Sequence, residues 1–247
     1  LAAVLVEIQP DPVFTMEAAM VSAMWAEVIA EARKGFSKEK SALAARCKRS
    51  ERPIVVRELP VTSGLAGADA AVHARHADLS IMTRPGGQKI SESRNAVFEG
   101  VLFGAGRPVL LVPPEWRGDR LGRKVVVAWN GKREAARALA DAAPLLDQAD
   151  EVAIVTIDAK PGSEGVGPAP GADIAAHLAR RGVKVEVRNL DGLGRDDADT
   201  LIAGARAFDA DLIVMGGYGR TRLSEMVFGG MTRSMTTKSP LPIFISH

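Results

Sequence analysis

One stretch of the sequence decides the fold: residues 209–219, which read Asp-Ala-Asp-Leu-Ile-Val-Met-Gly-Gly-Tyr-Gly. Its apolar centre shows no alternation of polar and apolar side chains, which is typical of a strand buried on both faces of a parallel sheet. Glycines follow at once, and glycine allows the backbone to turn tightly and to approach a ligand closely. The stretch therefore predicts a buried strand that ends in a glycine-rich turn.

Similar strands alternate with helices through the second half of the chain. Predicted strands cover residues 125–129, 152–158, 183–187, 211–215 and 241–246. Predicted helices cover residues 131–149, 172–181 and 196–208, with a last helix that ends near Lys238. Gly182 follows the second of these helices, where glycine commonly ends a helix. The alternation predicts an α/β domain with a doubly wound parallel sheet, for which we expect the strand order 3-2-1-4-5.

The end of this pattern occurs twice in the chain. Residues 76–82 parallel residues 209–215, and residues 107–112 parallel residues 241–246, at offsets of 133 and 134 residues. A repeat of this kind indicates a tandem duplication.

We therefore expect two flavodoxin-like domains, a first half in residues 1–116 and a second half in residues 121–247. The first half opens with a predicted strand at residues 4–8 that corresponds to the second strand of the other half. We expect the first half to lack a strand and helix of about 30 residues at its front.

Composition limits the classes of function. Lys and Arg total 32 and Asp and Glu total 30, and a net charge of +2 does not indicate a nucleic-acid or membrane surface. Hydrophobic residues make up 47%, which is typical of a globular protein. The single cysteine, Cys47, excludes an intrachain disulfide. We expect a cytoplasmic protein without a signal peptide, a nucleic-acid partner or a membrane partner.

The glycine pattern predicts an anion site. Gly216, Gly219 and Gly229 follow the spacing G-x2-G-x9-G between a predicted strand and a predicted helix. Amide groups at the N-terminus of a helix, together with the helix dipole, favour a phosphate group. Arg220 can add positive charge, and Thr232 can add a hydroxyl. The loop is therefore expected to bind phosphates.

The predicted strand order brings other residues to this loop. In an open α/β sheet, ligands bind beyond the carboxyl ends of the strands, where the strand order reverses. Here that point lies between strands 1 and 4, which end at Asn130 and Gly216. Ile157, near the end of strand 2, is expected to line the same crevice.

These motifs resemble the universal stress protein family in its tandem form. The likeness lies in the glycine pattern, in the opening segment 125–131 and in the closing segment 239–245. It covers residues 123–247 well and residues 1–113 more loosely. The resemblance implies adenine nucleotide alpha hydrolase-like domains and ATP as the ligand, with or without Mg²⁺. It implies base and ribose contacts from Asn130 and Ile157, and phosphate contacts from Met215, Gly216, Gly219, Gly229, Gly230, Met231 and Thr232.

Two residues of the second half depart from the family pattern. Asn130 stands where the family has Asp, and Gly230 stands where it has Ser or Thr. One hydrogen bond to a charged phosphate contributes about 1.5–3 kcal/mol, so its loss is expected to weaken binding roughly 10- to 100-fold. In the first half, Pro85 removes an amide donor and no glycine stands at the required distance. We expect no tight site there.

Three functions stay open at this point. The first is a stress-response protein that binds ATP or a related adenine nucleotide in its second half. The second is a nucleotide-free scaffold of the same family that acts through dimerisation and its surface. The third is a slow ATPase, against which the sequence shows no general base aligned with the glycine loop. His73 and His76 lie near Asp69 without a third ligand, so we expect no metal site.

The last strand of each half is predicted to be a sheet edge. Edge strands pair readily with other strands. We therefore expect the strands from Pro108 to Val112 and from Leu241 to Ser246 to pair, within the chain as a pseudo-dimer or between chains as a homodimer.

Overall fold

The computed structural model describes residues 1–9, 18–62, 64–84, 92–162, 167–217 and 230–247, and it has the α/β fold that the sequence predicts. The strands are β1 (Ala2–Gln9), β2 (Val55–Thr62), β3 (Ser80–Thr83), β4 (Val109–Val112), β5 (Lys124–Ala128), β6 (Glu151–Ile157), β7 (Val185–Leu190), β8 (Leu212–Gly216) and β9 (Ile243–Ser246). The helices are α1 (Ala18–Lys48), α2 (Ala66–Ala74), α3 (Glu92–Gly104), α4 (Arg133–Asp141), α5 (Ala143–Leu146), α6 (Ala172–Ala179), α7 (Asp197–Ala207) and α8 (Gly230–Lys238).

The main sheet has seven strands in the order β3-β4-β9-β8-β5-β6-β7. The five strands of the second half are parallel to one another, and they confirm the order 3-2-1-4-5 when read as β7-β6-β5-β8-β9. β5 lies at the centre of these five because Val125, Val126 and Val127 are buried on both faces of the sheet. The strand order reverses between β5 and β8.

The two edge strands pair with each other inside one chain. β4 runs antiparallel to β9, with Val109 opposite Ile245 and Leu111 opposite Ile243. All four side chains are fully buried, so the seam between the halves is part of the hydrophobic core. This pairing confirms the expected contact between the edges within the chain. Pairing between two chains stays a prediction.

The duplication is visible as equivalent hydrogen bonds in the two halves. The N–H of Arg84 donates to the carbonyl of Val112 at 2.9 Å, and the N–H of Gly217 donates to the carbonyl of Ser246 at 2.8 Å. The donors are 133 residues apart and the acceptors 134, which are the offsets of the sequence repeat. The ends of β3 and β8 are therefore structural counterparts.

The first half departs from a second doubly wound sheet. β1 and β2 form a separate parallel pair, while β3 and β4 lie in the seven-stranded sheet. Among the described residues no strand lies between β1 and β3, where the repeat would place a counterpart of β5. Ile81 of β3 consequently stays 66% exposed. The division of the chain into domains 1–116 and 121–247 stays a prediction.

Two predicted element boundaries are wrong for local reasons. Residues 131–149 form two helices, α4 and α5, with Pro144 in the first turn of α5, where its missing N–H is tolerated. Strand β7 begins after residue 183 because the N–H of Val183 still donates to the carbonyl of Leu178 in α6. Gly182 ends α6 in the left-handed conformation, with φ of 84°, as predicted.

Asp211 holds the start of β5 against β8. Its carboxylate accepts the backbone N–H groups of Gly122 at 3.0 Å, Arg123 at 3.0 Å and Lys124 at 3.3 Å. Asp211→Ala leaves these donors without their acceptor, so we expect the free energy of unfolding to fall by about 2–3 kcal/mol. Urea denaturation measures the loss. The control is Asp78→Ala, an exposed position 133 residues earlier, with an expected change below about 0.5 kcal/mol. Equal losses in the two variants would contradict this role.

Candidate functional site

The carboxyl ends of β5, β6 and β8 meet at one edge of the main sheet. β5 pairs in parallel with β6 on one side and with β8 on the other. α4, which follows β5, packs on one face of the sheet through Ala138, while α8 packs on the opposite face through Met235. The two helices therefore flank the ends of β5 and β8, and this edge of the sheet, the expected ligand position, is called here the β5/β8 crevice. This is the position at which open α/β sheets bind ligands.

Asn130 lies at the end of β5, at the mouth of the crevice. Its side chain is exposed, and its carbonyl oxygen accepts the N–H of Lys132, the N-cap of α4, at 3.1 Å. Gly131 between them has a φ of 71°, which a side chain would disfavour. The Asn130 oxygen is thus engaged in the turn that starts α4, and the side-chain NH2 group is the donor that this side chain offers.

Ile157 ends β6, where the sequence placed one wall of the crevice. Its side chain is half-buried and packs against the core. The next residue, Asp158, has a φ of 48°, and its carboxylate accepts the N–H of Gly192 at 2.9 Å. A Cβ on Gly192 would lie 2.6 Å from an Asp158 oxygen. Asp158 therefore ties the ends of β6 and β7 together, a role that the sequence reading missed.

The end of β8 is held close to α4. A Cβ on Gly216 would lie 2.5 Å from the carbonyl carbon of Glu134 and 2.6 Å from the nitrogen of Ala135. Gly216 is therefore required for packing, whether or not a ligand binds. The Met215 side chain is 3% exposed in the core, so only its backbone can face the crevice.

The first turn of α8 lies on the other side of the crevice. Gly230 is exposed, and a Cβ added there would meet nothing within 4 Å. Met231 is half-buried against the core, and Thr232 is 4% exposed. Neither residue is exposed to solvent, whereas Gly230 is. Three other predicted site residues, Gly219, Arg220 and Gly229, lie outside the described residues.

Glu134 is the charged residue of the site that the sequence reading missed. It lies in the first turn of α4 and is buried, and the Nε of Arg133 donates to its Oε1 at 2.7 Å. Burial alone would raise the pKa of Glu134. The hydrogen bond from Arg133, the Glu134 backbone N–H, and the charges of Arg133 and His247 outweigh burial and lower the pKa below its usual value. The carboxylate is therefore ionised at neutral pH.

His247 follows β9 and lies beside Gly217. Its Nδ1 lies 2.9 Å from the carbonyl oxygen of Gly217, and its ring meets that of Phe103 edge-on, with centroids 4.8 Å apart. Phe103 belongs to α3, so this contact brings the first half of the chain to the edge of the site.

Asp196 fixes α8 to α7. As the N-cap of α7, its carboxylate accepts the N–H of Ala198 at 2.9 Å, and it also accepts the hydroxyl of Ser234 at 3.0 Å and the ammonium of Lys238 at 3.1 Å. The Ala198 N–H and the Lys238 ammonium lower the pKa of Asp196, and the same contact raises the pKa of Lys238. These contacts hold the middle and the end of α8 against the start of α7.

The equivalent position in the first half is filled by an arginine. Arg84 occupies the place that Gly217 has in the second half, as their equivalent hydrogen bonds show. Its side chain is largely buried, and one guanidinium nitrogen lies 3.6 Å from a carboxylate oxygen of Glu115. A large side chain at this strand end leaves less room for a ligand than Gly217 does, and the absence of a tight site there stays a prediction.

The sequence predicts neither a metal site nor a membrane partner. His73 lies in the last turn of α2, whereas His76 follows the helix and its Nδ1 lies 3.0 Å from the carbonyl oxygen of Val72. Within the part of the chain that the structure describes, no group of three or more His, Cys, Asp or Glu residues is placed to hold a metal ion. Over the same residues, no helix has the length and apolar character to cross a membrane.

Comparison with known proteins matches parts of this chain to stress proteins. A model of the universal stress protein family matches residues 122–247, about half of the chain. Stress response protein NhaX of Bacillus subtilis is 33% identical over 57 residues, a match that covers 23% of this chain and spans only 34% of that relative.

Solved structures match over nearly the whole chain. A universal stress protein from Archaeoglobus fulgidus matches with a TM-score of 0.67 at 17% identity, over 99% of this chain and 87% of that one. A functionally unknown protein from Pseudomonas aeruginosa matches with a TM-score of 0.54 at 18% identity, over 99% of this chain and 92% of that one. At these identities the two structures show the fold alone.

Proposed function

Because the chain belongs to the universal stress protein family, we propose that its β5/β8 crevice binds an adenine nucleotide, ATP or a related one, as part of a stress response. One observation carries the proposal. The strand order reverses between β5 and β8, and β8 ends at Gly216, a residue whose backbone has no side chain of its own to cover it. Ligand phosphates are favoured at such strand ends and at helix N-termini nearby.

Each side of the crevice contributes a different kind of contact. Asn130 and Ile157 stand at the ends of β5 and β6, where an adenine base can receive a hydrogen bond and pack against an apolar side chain. Backbone groups at Gly216 and the first amides of α8 serve an anionic group. The first turn of α8 contains no acidic residue, so its positive dipole end is not compensated there. The sequence motif alone assigns three further residues to the phosphate side: Gly219, Arg220 and Gly229.

A second candidate function has its own support. Gly216 is required by its contact with α4, and the Asn130 oxygen is engaged in a turn, so both residues have structural roles without a ligand. A nucleotide-free scaffold that acts through its surface and through a homodimer would keep the same residues. A cytoplasmic location and a homodimer are part of the proposal for both candidate functions.

The variant Gly219→Trp separates the two functions. A bulky side chain in the glycine loop is expected to abolish the rise in melting temperature that ATP or AMP gives to the full chain. Gly35→Trp is the matched control. Gly35 lies in α1, in the other half of the chain, and a Cβ added there would meet nothing within 4 Å. Loss of the nucleotide effect in Gly219→Trp but not in Gly35→Trp supports the nucleotide site. No nucleotide effect on the unmodified chain favours the scaffold.

A further inference from the structure

One end of the main sheet is formed by β3, residues Ser80–Thr83. In the described part of the chain, β3 pairs with β4 alone. Its counterpart β8 pairs with β9 on one side and with β5 on the other. β3 therefore has no neighbour in the place that β5 takes beside β8. This unpaired side of β3 is called here the β3 edge.

The backbone of β3 directs a hydrogen-bond donor to the β3 edge. The N–H of Ser80 donates to the carbonyl of Pro108 at 3.1 Å. The N–H of Arg84 donates to the carbonyl of Val112 at 2.9 Å, again on the side of β4. Successive N–H groups of a strand point to opposite sides. The N–H of Ile81 consequently points to the β3 edge, where an added strand can accept it.

The side chains of β3 also suit a further strand. β3 reads Ser-Ile-Met-Thr, without a charged residue, and Ile81 is 66% exposed. Val214 stands at the equivalent place in β8 and is fully buried, in one cluster with Val125 and Val127 of β5. The second half therefore supplies the template for a neighbour of β3, an apolar strand that runs parallel to it.

The opposite end of the sheet has a different character. β7 carries Glu186 and Arg188, which form an ion pair. The Arg188 guanidinium also lies 4.8 Å from the centroid of the Phe208 ring. Charged side chains on an edge strand discourage pairing with other strands. β7 is therefore protected against a further strand, whereas β3 is not.

The segments that follow β1 and β3 in the chain are too short to form such a neighbour. Residues 10–17 and 85–91, which lie outside the described residues, number eight and seven. A connection that returns to a parallel strand takes a dozen residues or more. Neither segment can therefore supply a strand parallel to the one that it follows.

We propose that the β3 edge binds an extended segment of another polypeptide, with an uncharged, β-branched centre, as a strand parallel to β3. The template for that segment is the five-residue strand β5, whose Val125, Val126 and Val127 pair with β8. When a strand is added to a sheet edge, main-chain hydrogen bonds provide affinity and alternate side chains provide specificity. This interaction surface is separate from the β5/β8 crevice.

A fluorescein-labelled peptide with the sequence of residues 122–131 tests the proposal, because it contains β5. We expect the peptide to bind the full chain, as measured by fluorescence anisotropy. We also expect it to slow hydrogen exchange of the Ile81 N–H about tenfold or more, without slowing exchange in β7.

The matched control peptide carries Val126→Pro. In the folded chain, the N–H of Trp129 donates to the carbonyl of Val155 in β6, so the N–H of Val126 faces β8 on the other side. Proline at this position removes the donor that would face β3 and cannot sit in the middle of a sheet. The control peptide is expected not to bind.

Ile81→Pro and Ile81→Ala form the matched pair in the protein. Proline is tolerated in an edge strand whose N–H faces away from its neighbour, so we expect Ile81→Pro to fold and to lose peptide binding. Alanine keeps the N–H and removes an exposed side chain, so the affinity is expected to fall less than about fivefold. If Ile81→Pro unfolds, the two peptides give the test on the unmodified chain.

Binding that protects the Ile81 N–H and is lost with each proline substitution supports the proposal. No binding at millimolar peptide, equal binding of the Val126→Pro peptide, or protection in β7 overturns it. Protection of the Ile81 N–H in the peptide-free chain also overturns it. Protection that grows with protein concentration would assign the β3 edge to a second copy, and protection independent of concentration would assign it to the chain itself.

Discussion

Gly216→Ala is expected to lower the free energy of unfolding by about 3 kcal/mol, because the new Cβ would overlap the backbone of α4. The methyl group would lie 2.5 Å from the carbonyl carbon of Glu134 and 2.6 Å from the nitrogen of Ala135. Backbone atoms in the first turn of a helix cannot move aside as a flexible side chain can. Urea denaturation of the ligand-free protein gives the loss directly.

Gly230→Ala is the control for this prediction. A Cβ at Gly230 would meet nothing within 4 Å, and the residue opens a helix in which alanine is favoured over glycine. The free energy of unfolding is expected to stay within about 0.5 kcal/mol of the unmodified value or to rise. A loss in Gly230→Ala as large as that in Gly216→Ala would show that the contact between β8 and α4 is not the cause.

Gly230→Ser is expected to strengthen AMP binding about tenfold, since a hydroxyl bonded to a charged phosphate contributes about 1.5–3 kcal/mol. The position is exposed at the start of α8, and a side chain fits there without displacing a neighbour. The substitution restores the residue type that the family motif has after its third glycine. Calorimetric titration with AMP measures the gain.

Gly230→Ala separates the hydroxyl from the change in backbone freedom. Both variants lose the flexibility of glycine, but only serine adds a donor. If serine and alanine give the same affinity for AMP, the hydroxyl does not reach the phosphate, and the first turn of α8 is not the phosphate site.

The order of the strands and the duplication could be predicted because both depend on patterns within short segments. Val125, Val126 and Val127 form an unbroken apolar run, and only a central strand buries both of its faces. The repeat offset reappears as equivalent hydrogen bonds at Arg84 and Gly217, since copies of one segment keep the same backbone partners.

The charged side chains of the site could not be predicted from local sequence. Glu134 is one of several charged residues on a helix, and Asp158 is one polar residue after a strand. Their roles depend on neighbours far away in the chain, Gly216 for Glu134 and Gly192 for Asp158. The division of the first half into a separate β1–β2 pair and a β3–β4 pair depends in the same way on long-range strand pairing.

Calorimetric titration of the full chain with AMP, and separately with ATP and Mg²⁺, tests nucleotide binding most directly. We expect one site per chain in the micromolar range and no heat of binding in Gly219→Trp. Absence of heat, together with no change in melting temperature at millimolar AMP or ATP, would contradict nucleotide binding. In that case Gly216 and Gly217 serve the packing of β8 alone.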